Sequence, residues 1–480
     1  MAAENATTPE QLVAAAPYPE EQLMALTTLD GRYKKDVEDL RPYGSEFGLI
    51  GARAEVEGRH LVLLSDFGVI RTLAPGERQF LLEFGTNLTV PQAQRVKALE
   101  AVSDHDVQAV EKMMREQLGG TSMADLTPYT HLFMTSENDN NLAYRVMLKR
   151  GTERILVPTA DAGIDALMDI AAHEKETRMP ARTHGQKGVT TTVGKEIALF
   201  AVRLNAQLRK LRNMQLTGSF NGAVGNFNAH EYVRPDINWQ EYAKQMVEGF
   251  GFEYNPFTTQ INPYEDMVEA FQTYHRLNSV LLDCDQDMWR YISDDWFAQQ
   301  AVLGETGSST MAQKINPIKF ENSEGNLAMA NGIFEVLARK LPVSRLQRDL
   351  SDSTVIRNAP TAVGYTLLSF RNTLKGLGRI YPNHPVLERA VESDWSVLTE
   401  AVQSQMRMDG DADAYDKVKN ASRGKRIDGD NWEKWLDEVP DILDESKEKL
   451  RTLTPGEYIG IAPDLVDQIA DVIKNTRQGK

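Results

Sequence analysis

The chain contains 480 residues and carries a formal net charge of -16 at pH 7. This length exceeds what one hydrophobic core organises and indicates roughly two to four domains. The acidic balance disfavours a general surface for nucleic acid or anionic membranes, so an anionic ligand requires a local basic site. Cys284 is the single cysteine, which excludes an intramolecular disulfide and a cysteine zinc cluster.

The sequence also lacks the patterns of membrane insertion and export. No apolar run approaches the roughly 18 residues of a membrane-spanning helix, and no basic segment followed by an apolar one opens the chain. We therefore expect a cytoplasmic protein. Residues 1–23 are rich in Ala, Pro and Glu without sustained periodicity, which is typical of a poorly ordered arm.

An Asp-Gly turn at Asp30 and Gly31 leads into helix-compatible sequence in which charged and apolar turns alternate. Arg32 and Tyr33 follow this turn directly. An exposed cation and an aromatic ring have surface or packing roles more often than binding roles. The residues alone therefore favour a surface or packing role here.

Two further helix starts carry polar residues. His105 stands between Asp104 and Asp106 just before a helical stripe, where helix capping and local electrostatics account for it. Thr135 and Ser136 precede an Asn- and Asp-rich first turn, as in an ordinary capped helix. Neither pattern alone specifies a binding site.

A long buried helix is predicted from about residue 193. Its apolar residues recur at spacings of three and four, as along the seam of a helical bundle. They are Val193, Ile197, Phe200, Leu204, Leu208 and Leu211. His184 lies upstream in a Thr-His-Gly-Gln loop, and a lone loop histidine is more often structural or solvent-exposed than catalytic.

A second long helix is predicted after Gln260. It contains an acidic run, Asp283, Asp285 and Asp287. This run lacks the glycine and the distal glutamate of a calcium loop and falls within helical sequence. We therefore predict no metal site there.

A stretch from Gly304 to Pro317 has neither helical nor alternating periodicity, and such a run inside a compact protein is usually a functional loop or lid. Asn316 and Pro317 then form a strong helix start, and the helix is predicted to end near Lys340. Glycine and serine are ordinary loop residues, so composition alone favours a plain loop. The helix dipole nevertheless favours an anion beside the polar residues of this loop, which are Ser308, Ser309, Lys314 and Asn316.

The stretch from Arg339 to Arg357 is cationic in an otherwise acidic protein. Such clusters are commonly solvated faces, yet Ser353, Thr354 and Arg357 provide hydroxyl and guanidinium donors suited to phosphate. The basic residues are Arg339, Lys340, Arg345, Arg348 and Arg357. Along the whole chain, few segments alternate as strands do while several carry long helical stripes, so we predict an all-α fold.

Two motifs carry a resemblance to known proteins. GSSTMAQKINP resembles the signature loop of the aspartase/fumarase superfamily of lyases, whose pattern is roughly Gly-Ser-Ser-x-Met-Pro-x-Lys-x-Asn-Pro. FENSEGN, followed by KLPVSRLQRDLSDSTVIRN, is similar to the bacterial adenylosuccinate lyase family, in patches from about Asp30 to about Arg379. The resemblance implies three helical domains, at 1–124, 125–378 and 379–480, the central one a bundle of long helices. It also implies a homotetramer whose active sites are built from several subunits.

The resemblance further implies elimination of fumarate from adenylosuccinate, and from the succinyl-carboxamide ribotide of purine synthesis, without a redox or metal cofactor. Ser308 is then the general base and His184 the general acid, while Lys314 and Asn316 stabilise the dianion formed on the way. The other residues that match the family's substrate site are Arg32, Tyr33, Asp104, His105, Asp106, Thr135, Ser136, Gln260, Ser309, Ile315, Asn322, Arg348, Ser353, Thr354, Val355, Ile356 and Arg357.

Four positions depart from the family pattern. Asp104 replaces an asparagine and adds a carboxylate near an anionic substrate. Lys187 stands where proline usually follows the Thr-His-Gly-Gln element. Ala312 and Gln313 replace proline and histidine, and the loss of the proline makes ordered loop closure entropically more costly.

Two alternatives stay open. Argininosuccinate lyase and fumarase share the Ser-Ser loop, although the basic stretch from Arg345 to Arg357 favours a nucleotide. A non-catalytic helical structural protein on the same scaffold is the alternative from another class. The presence of both Ser308 and His184 argues against it.

Overall fold

The computed structural model describes residues 19–302, 310–311 and 313–478. Helices dominate these ranges, which confirms the predicted fold class. Within the same ranges, no helix combines the length and apolar character needed to cross a membrane.

The first half of the chain is built mainly from helices, joined by turns, short strands and 3-10 segments. A π-helical turn, Thr152–Leu156, continues the seventh helix into the eighth. The helices are α1 (Glu20–Leu23), α2 (Arg41–Gly44), α3 (Glu46–Asp66), α4 (Pro75–Glu83), α5 (Val90–Ser103), α6 (Asp106–Gly119), α7 (Ser136–Gly151), α8 (Val157–His173), α9 (Val193–Arg212), α10 (Asn228–Val233) and α11 (Trp239–Glu248).

The second half opens with a helix of 29 residues. The helices here are α12 (Glu265–Ser293), α13 (Ile318–Lys340), α14 (Ser351–Ile356), α15 (Ala359–Leu377), α16 (His384–Glu392), α17 (Thr399–Met408), α18 (Ala414–Ser422), α19 (Trp432–Glu438), α20 (Asp444–Arg451) and α21 (Ala462–Arg477).

Short strands form three two-stranded sheets within the described ranges. The strands are β1 (Arg178–Thr183), β2 (Gln186–Thr192), β3 (Thr217–Gly218), β4 (Glu253–Tyr254), β5 (Phe297–Gln299) and β6 (Ile380–Pro382). β1 and β2 form an antiparallel hairpin with a register irregularity between Pro180 and Arg182. β3 pairs with β4 in parallel, and β5 pairs with β6 antiparallel.

The helical stripes predicted from the sequence are confirmed. All six apolar residues of the stripe that begins at Val193 are buried along α9. Helix α13 ends at Lys340 as predicted, and it begins at Ile318, one residue after the predicted start at Pro317. These stripes are local patterns, so the sequence alone was sufficient to locate them.

The chain divides into two compact units. Unit 1 consists of Met1–Ala160, Gln207–Ser279 and Gly325–Arg371, and unit 2 of Asp161–Ala206, Val280–Glu324 and Asn372–Lys480. The three predicted domain ranges differ from this division and stay a prediction.

Unit 1 is organised around α3, which packs against α4, α6 and α7. Nearly every side chain of α3 from Leu49 to Leu64 is buried. Burial of a charge is costly unless the charge is paired. The buried residues nevertheless include four ionisable side chains, each bonded to another segment, and these are Arg53, Glu55, Glu57 and His60.

Unit 2 contains the β1–β2 hairpin and a C-terminal helical core. Two tryptophans of α19, Trp432 and Trp435, stack with their ring centroids 5.3 Å apart. Each indole N–H donates to a backbone carbonyl, that of Leu450 for Trp432 and that of Ala421 for Trp435. The N–H groups of these two buried indoles are therefore satisfied within the core.

A close approach between α3 and α4 depends on glycine. A Cβ atom at Gly58 would lie 2.1 Å from the carbonyl oxygen of Leu81, so any side chain there forces the two helices apart. Gly76, within α4 itself, has no atom within 4 Å of the equivalent position.

We expect Gly58→Ala to lower the free energy of unfolding by about 1–3 kcal/mol, the usual cost of overpacking. Gly76→Ala is the matched control and should leave the free energy unchanged or raise it by up to about 1 kcal/mol. Denaturant unfolding measures both variants. Equal effects of the two substitutions would contradict the close packing of α3 on α4.

Candidate active site

The predicted site residues fall into three groups. Ser308 and Ser309 lie outside the described residues, so their roles stay predictions. The members in unit 2 are His184, Lys314, Ile315, Asn316 and Asn322. The members in unit 1 are Arg32, Tyr33, Asp104, His105, Asp106, Thr135, Ser136, Gln260, Arg348, Ser353, Thr354, Val355, Ile356 and Arg357.

Asp106, the first residue of α6, is shared by two arginines. Its Oδ2 atom accepts hydrogen bonds from Nη2 of Arg53 at 2.7 Å and from Nη2 of Arg357 at 2.6 Å. Nη1 of Arg357 also lies 3.4 Å from Oε2 of Glu46. The structure thus brings two predicted residues, Asp106 and Arg357, into direct contact.

The protonation state of Asp106 follows from these contacts. Burial acts to raise the pKa of Asp106, but the charges and hydrogen bonds of Arg53 and Arg357 hold that pKa well below its ordinary value. Asp106 is therefore ionised at physiological pH. Its negative charge orients both guanidinium groups.

Arg348 is held by buried carboxyl groups. Its Nη2 atom lies 3.0 Å from Oε2 of Glu137 and 3.7 Å from Oδ1 of Asp352. Its Nη1 atom lies 3.5 Å from Oε1 of Gln260, so these two predicted residues also meet. The phenol oxygen of Tyr264 lies 3.3 Å from Glu137 and 3.1 Å from Asp352.

Glu137 is a titratable group at this position. Burial raises the pKa of Glu137 to about 7, against the opposing charge of Arg348. At neutral pH both its neutral and ionised forms are populated, which is typical of functional sites.

The hydroxyl groups of Ser353 and Thr354 lie on the short helix α14. Oγ of Ser353 donates to the carbonyl oxygen of Leu350 at 3.0 Å. The side chain of Thr354 is exposed and that of Val355 is half-buried, whereas that of Ile356 is fully buried. Any contact of Ile356 with a ligand therefore involves its main chain.

His105 caps a helix, as its position in the sequence suggested. Its Nδ1 atom accepts a hydrogen bond from the amide of Gln108 at 3.1 Å, which places the proton of the neutral ring on Nε2. The preceding residue, Asp104, ends α5 in the left-handed conformation with φ of 51°. Near the N-terminus, the Arg32 guanidinium lies 5.9 Å from the ring centroid of Tyr33.

The start of α7 is fixed by Glu57 of α3. Thr135 is the N-cap residue, and Ser136 is the first helical residue. Just before them, the amide and Nδ1 of His131 lie 3.0 and 2.5 Å from the carboxylate oxygens of Glu57. Burial acts to lower the pKa of His131, but the charge and hydrogen bond of Glu57 raise it to about 9. A partly buried ion pair thus holds the turn that positions Thr135 and Ser136.

His184 occupies the turn of the β1–β2 hairpin. Thr183 pairs with Gln186, which leaves His184 and Gly185 as the two turn residues, with φ of 53° and 72°. Positive φ at both central residues is characteristic of a type I′ turn. The side chain of His184 is exposed at the tip. The sequence predicted a loop here but not the strands on either side.

The hairpin is anchored on both sides of its turn. The guanidinium of Arg182 lies 4.9 Å from the ring centroid of Trp296 and 3.3 Å from Oδ2 of Asp294. Nζ of Lys187 donates to Oγ of Ser393 at 2.7 Å. The lysine that replaces the family's proline therefore attaches the hairpin to the chain after α16.

A cavity of about 510 Å³ lies in unit 2 beside the start of α13. Its lining includes Lys314, Asn316 and Arg379, which makes it partly cationic. The carbonyl oxygen of Ile315 accepts a hydrogen bond from Nε2 of Gln299 at 2.9 Å, and this bond fixes the backbone between Lys314 and Asn316. The charge of the lining suits a small anion.

Three polar residues that the sequence analysis singled out on the unit 2 helices, Asn322, Asp283 and Asp285, have structural partners. Oδ1 of Asn322 accepts a hydrogen bond from Asn372 at 2.8 Å. Asp283 pairs with Arg203 at 2.6 Å, and buried Asp285 accepts from Thr373 at 2.7 Å. In the part of the chain that the structure describes, no group of three His, Cys, Asp or Glu residues is arranged to hold a metal ion.

Sequence reasoning missed the residues that hold the predicted arginines in place. Arg53 contacts Asp106, and Glu137 contacts Arg348. Tyr264 contacts Glu137 and Asp352, the two carboxyl groups near Arg348. A signal was present for Arg53, because charged residues interrupt an otherwise apolar helix in GLIGARAEVEGRHLVLL. Charged residues in such a run are rarely buried without partners.

Two family models match the chain. The model described as Lyase matches residues 87–332, and the model described as Adenylosuccinate lyase C-terminal matches residues 344–459. The first covers just over half of the chain, including His105, the His184 hairpin and most of α13. The class of protein that the fold and these matches define is a lyase.

Curated relatives narrow the class. Adenylosuccinate lyase of Haemophilus influenzae is 40% identical over 452 residues, which cover 93% of this chain and 99% of that protein. Adenylosuccinate lyase of Escherichia coli K12 is 38% identical over 451 residues, with 93% and 99% covered. The chain belongs to the adenylosuccinate lyase family, as its motifs predicted.

Solved structures share the fold. Fumarate lyase from Mesorhizobium aligns with a TM-score of 0.72 at 15% identity and covers 90% of this chain and 97% of its own. The 3-carboxy-cis,cis-muconate lactonizing enzyme from Pseudomonas putida aligns with a TM-score of 0.70 at 14% identity, with 92% and 98% covered. At these identities the likeness supports the fold alone.

The His131–Glu57 pair makes stability depend on pH. An unfolded histidine titrates near 6.5, whereas the pKa of His131 in the folded protein is about 9. The folded state holds the proton more tightly, so the stabilisation is complete below pH 6.5 and is lost as the pH rises through 9. This difference in pKa corresponds to about 3 kcal/mol.

We expect His131→Gln to abolish this part of the pH dependence. It should also destabilise the protein near neutral pH, because Glu57 then stays buried without a cation. Addition of Glu57→Gln should recover part of the lost stability. Denaturant unfolding across the alkaline range measures these effects, and parallel pH profiles for the wild-type chain and His131→Gln would refute the assignment.

Proposed function

We propose that the chain eliminates fumarate from adenylosuccinate to give AMP, and likewise from succinyl-aminoimidazole-carboxamide ribotide. The observation that carries the proposal is that two arginines of unit 1, Arg348 and Arg357, are each held by a carboxyl group. In the sequence these arginines flank the hydroxyl residues Ser353 and Thr354. Guanidinium and hydroxyl donors suit a phosphate. The two relatives described above are both named adenylosuccinate lyases, which supports the same substrate.

The nucleotide phosphate is proposed to bind at Arg357, with Thr354 as a further donor. Ser353 becomes a donor when its hydroxyl turns from the carbonyl oxygen of Leu350 to the phosphate. Arg357 has 39% of its side chain exposed, so it is accessible to a ligand. Asp106 already holds its guanidinium, so binding requires little additional ordering of this long side chain. This arrangement supplies the local basic site that a chain with a net charge of -16 needs for an anionic substrate.

The proposed chemistry is a β-elimination with two proton transfers. A base removes a proton from the carbon beside a carboxylate and leaves an aci-carboxylate dianion. Its electron pair then forms the new carbon–carbon double bond and expels the nitrogen, which an acid protonates. We assign the base to Ser308 and the acid to His184. The reaction is redox-neutral and requires neither a redox cofactor nor a metal ion.

The dianion needs a positive environment. Serine is a weak base unless water is excluded and positive potential surrounds it. Lys314 and Asn316 are proposed to supply that potential at the start of α13. The partly cationic lining of the unit 2 cavity supports this role.

We propose that the protein acts in the cytoplasm as a homotetramer whose active sites combine residues from several subunits. His184 is exposed in the single chain, although proton transfer to a leaving nitrogen is favoured where water is excluded. A second subunit over the hairpin turn would exclude that water. The long helices also expose large apolar side chains, as faces covered by other subunits do, and these are Leu199, Trp289, Met329 and Val336.

Fumarate release from adenylosuccinate tests the proposed reaction. We expect turnover by the wild-type chain, and a loss on the order of 10²–10⁴ in Ser308→Ala, because the positioned base is absent. His184→Gln should lower turnover more than substrate affinity. Absence of fumarate release by folded wild-type protein would refute the function, whereas near-normal turnover in Ser308→Ala would transfer the base role to Ser309.

Mixed tetramers test the sharing of sites. If Ser308 and His184 of one site come from different subunits, exchange between the two inactive variants regenerates sites that contain both residues. We therefore expect activity to return after Ser308→Ala and His184→Gln proteins are mixed and allowed to exchange. Native mass spectrometry verifies the exchange, and mixed tetramers without activity would contradict the proposal.

Binding of AMP tests the phosphate assignment. We expect Arg357→Ala to weaken AMP affinity by roughly 10- to 100-fold, the equivalent of about 1.5–3 kcal/mol for a hydrogen bond to a charged group. Arg339→Ala is the matched control, because Arg339 belongs to the same basic stretch but is highly exposed on α13. Titration calorimetry that finds wild-type affinity in Arg357→Ala would rule out the assignment.

A further inference from the structure

We infer that Arg53 of α3 is a positioning residue for the nucleotide phosphate: it compensates the charge of Asp106, so that the guanidinium of Arg357 remains available to the substrate. The inference rests on the proposed function and deepens it. Arg53 is not among the residues that match the family's substrate site. It acts through Asp106 and Arg357 and not by contact with the substrate.

The side chains of Arg53, Asp106 and Arg357 contact one another in that order and become progressively more exposed. The Arg53 side chain is 1% exposed, that of Asp106 26% and that of Arg357 39%. Both guanidinium groups donate to the same carboxylate oxygen, Oδ2 of Asp106. Nε of Arg53 donates to Oδ1 of Asn140 at 3.0 Å, and this hydrogen bond fixes the orientation of the buried guanidinium group.

The positive charge of buried Arg53 affects the more exposed Arg357 through the carboxylate of Asp106 that they share. With Arg53 present, the negative charge of Asp106 is balanced from the core side. If Arg53 were neutral, the same carboxylate would bind the Arg357 guanidinium alone and cancel much of its attraction for a phosphate. Glu46 also lies near Arg357, but it is 42% exposed and its charge is screened by solvent.

The contacts of Arg53 are poorly suited to a purely structural role. Its Nη1 atom is buried and has no hydrogen-bond partner among the described residues. An unsatisfied buried donor is costly, and apolar replacements of buried ion pairs are often neutral or stabilising. A second acid, Asp139, lies near Arg53, and burial raises the pKa of its carboxyl group well above the ordinary value, against the opposing charge of Arg53. The hydrogen bonds of Arg53 to Asn140 and Asp106 thus use two of its three guanidinium nitrogens.

The test compares ligands with and without a phosphate. AMP and adenosine are titrated by calorimetry into wild-type protein, Arg53→Gln, Arg53→Lys and the double variant Arg53→Gln/Asp106→Asn. Arg150→Gln is the matched control, because Arg150 pairs with Glu55 of the same helix at a position away from Asp106. Melting temperatures and the KM and kcat for adenylosuccinate are measured in parallel.

We expect Arg53→Gln to weaken AMP about tenfold while adenosine changes by less than about twofold. KM should rise more than kcat falls. Arg53→Lys should lie between the wild-type chain and Arg53→Gln, since it retains the charge. The double variant should bind AMP more tightly than Arg53→Gln, because the uncompensated carboxylate is gone. Arg150→Gln should change the melting temperature without selective loss of AMP.

Three results would overturn the inference: unchanged AMP affinity in Arg53→Gln, equal weakening of AMP and adenosine, or no recovery in the double variant. If Arg53→Gln does not fold, Arg53→Lys and the double variant decide the matter by the same AMP-to-adenosine comparison. Failure of the wild-type chain to release fumarate while it binds AMP normally would instead overturn the proposed function. Normal turnover with unchanged AMP affinity in Arg53→Gln would overturn the role of Arg53 alone.

Discussion

One carboxylate shared by two guanidinium groups, Asp106 between Arg53 and Arg357, fixes the cationic part of unit 1 on which the proposed nucleotide site depends. The buried member of this group comes from α3. Because buried polar and charged groups need partners, each of the four buried ionisable side chains on this helix connects it to a different segment. The other connections join Glu57 to His131, Glu55 to Arg150 and His60 to Tyr242.

These connections position α7 as well as Arg357. The Glu57–His131 pair holds the turn before the first residue of α7, and the Glu55–Arg150 pair holds its last turn. Helix α7 is therefore bonded to α3 near both ends, so Thr135 and Ser136 are carried by a rigid element. A site built on such elements loses less conformational freedom when it binds a ligand. The paired charges of α3 thus contribute to binding by preorganisation.

Patterns of short range predicted much of the fold. Motif resemblance named Asp106, Arg357, Gln260 and Arg348 one by one, whereas the contacts of Asp106 with Arg357 and of Gln260 with Arg348 come from the structure. The stripe of α9 and the end of α13 at Lys340 are local features, so the sequence located them. Burial of Arg53 and Glu57 was not predicted, because Asp106 and His131 lie 53 and 74 residues further along the chain. The hairpin was also missed, since its two-residue turn depends on positive φ at His184, an uncommon conformation outside glycine.

A crystal structure with AMP and fumarate bound shows whether Arg357 binds the nucleotide phosphate and Lys314 the dicarboxylate. We expect phosphate oxygens within hydrogen-bonding distance of Arg357 and Ser353, while Asp106 still accepts from both arginines. We also expect the fumarate carboxylates beside Lys314 and Asn316. An AMP phosphate bound elsewhere, with the Asp106–Arg357 pair intact and without a ligand, would contradict both assignments.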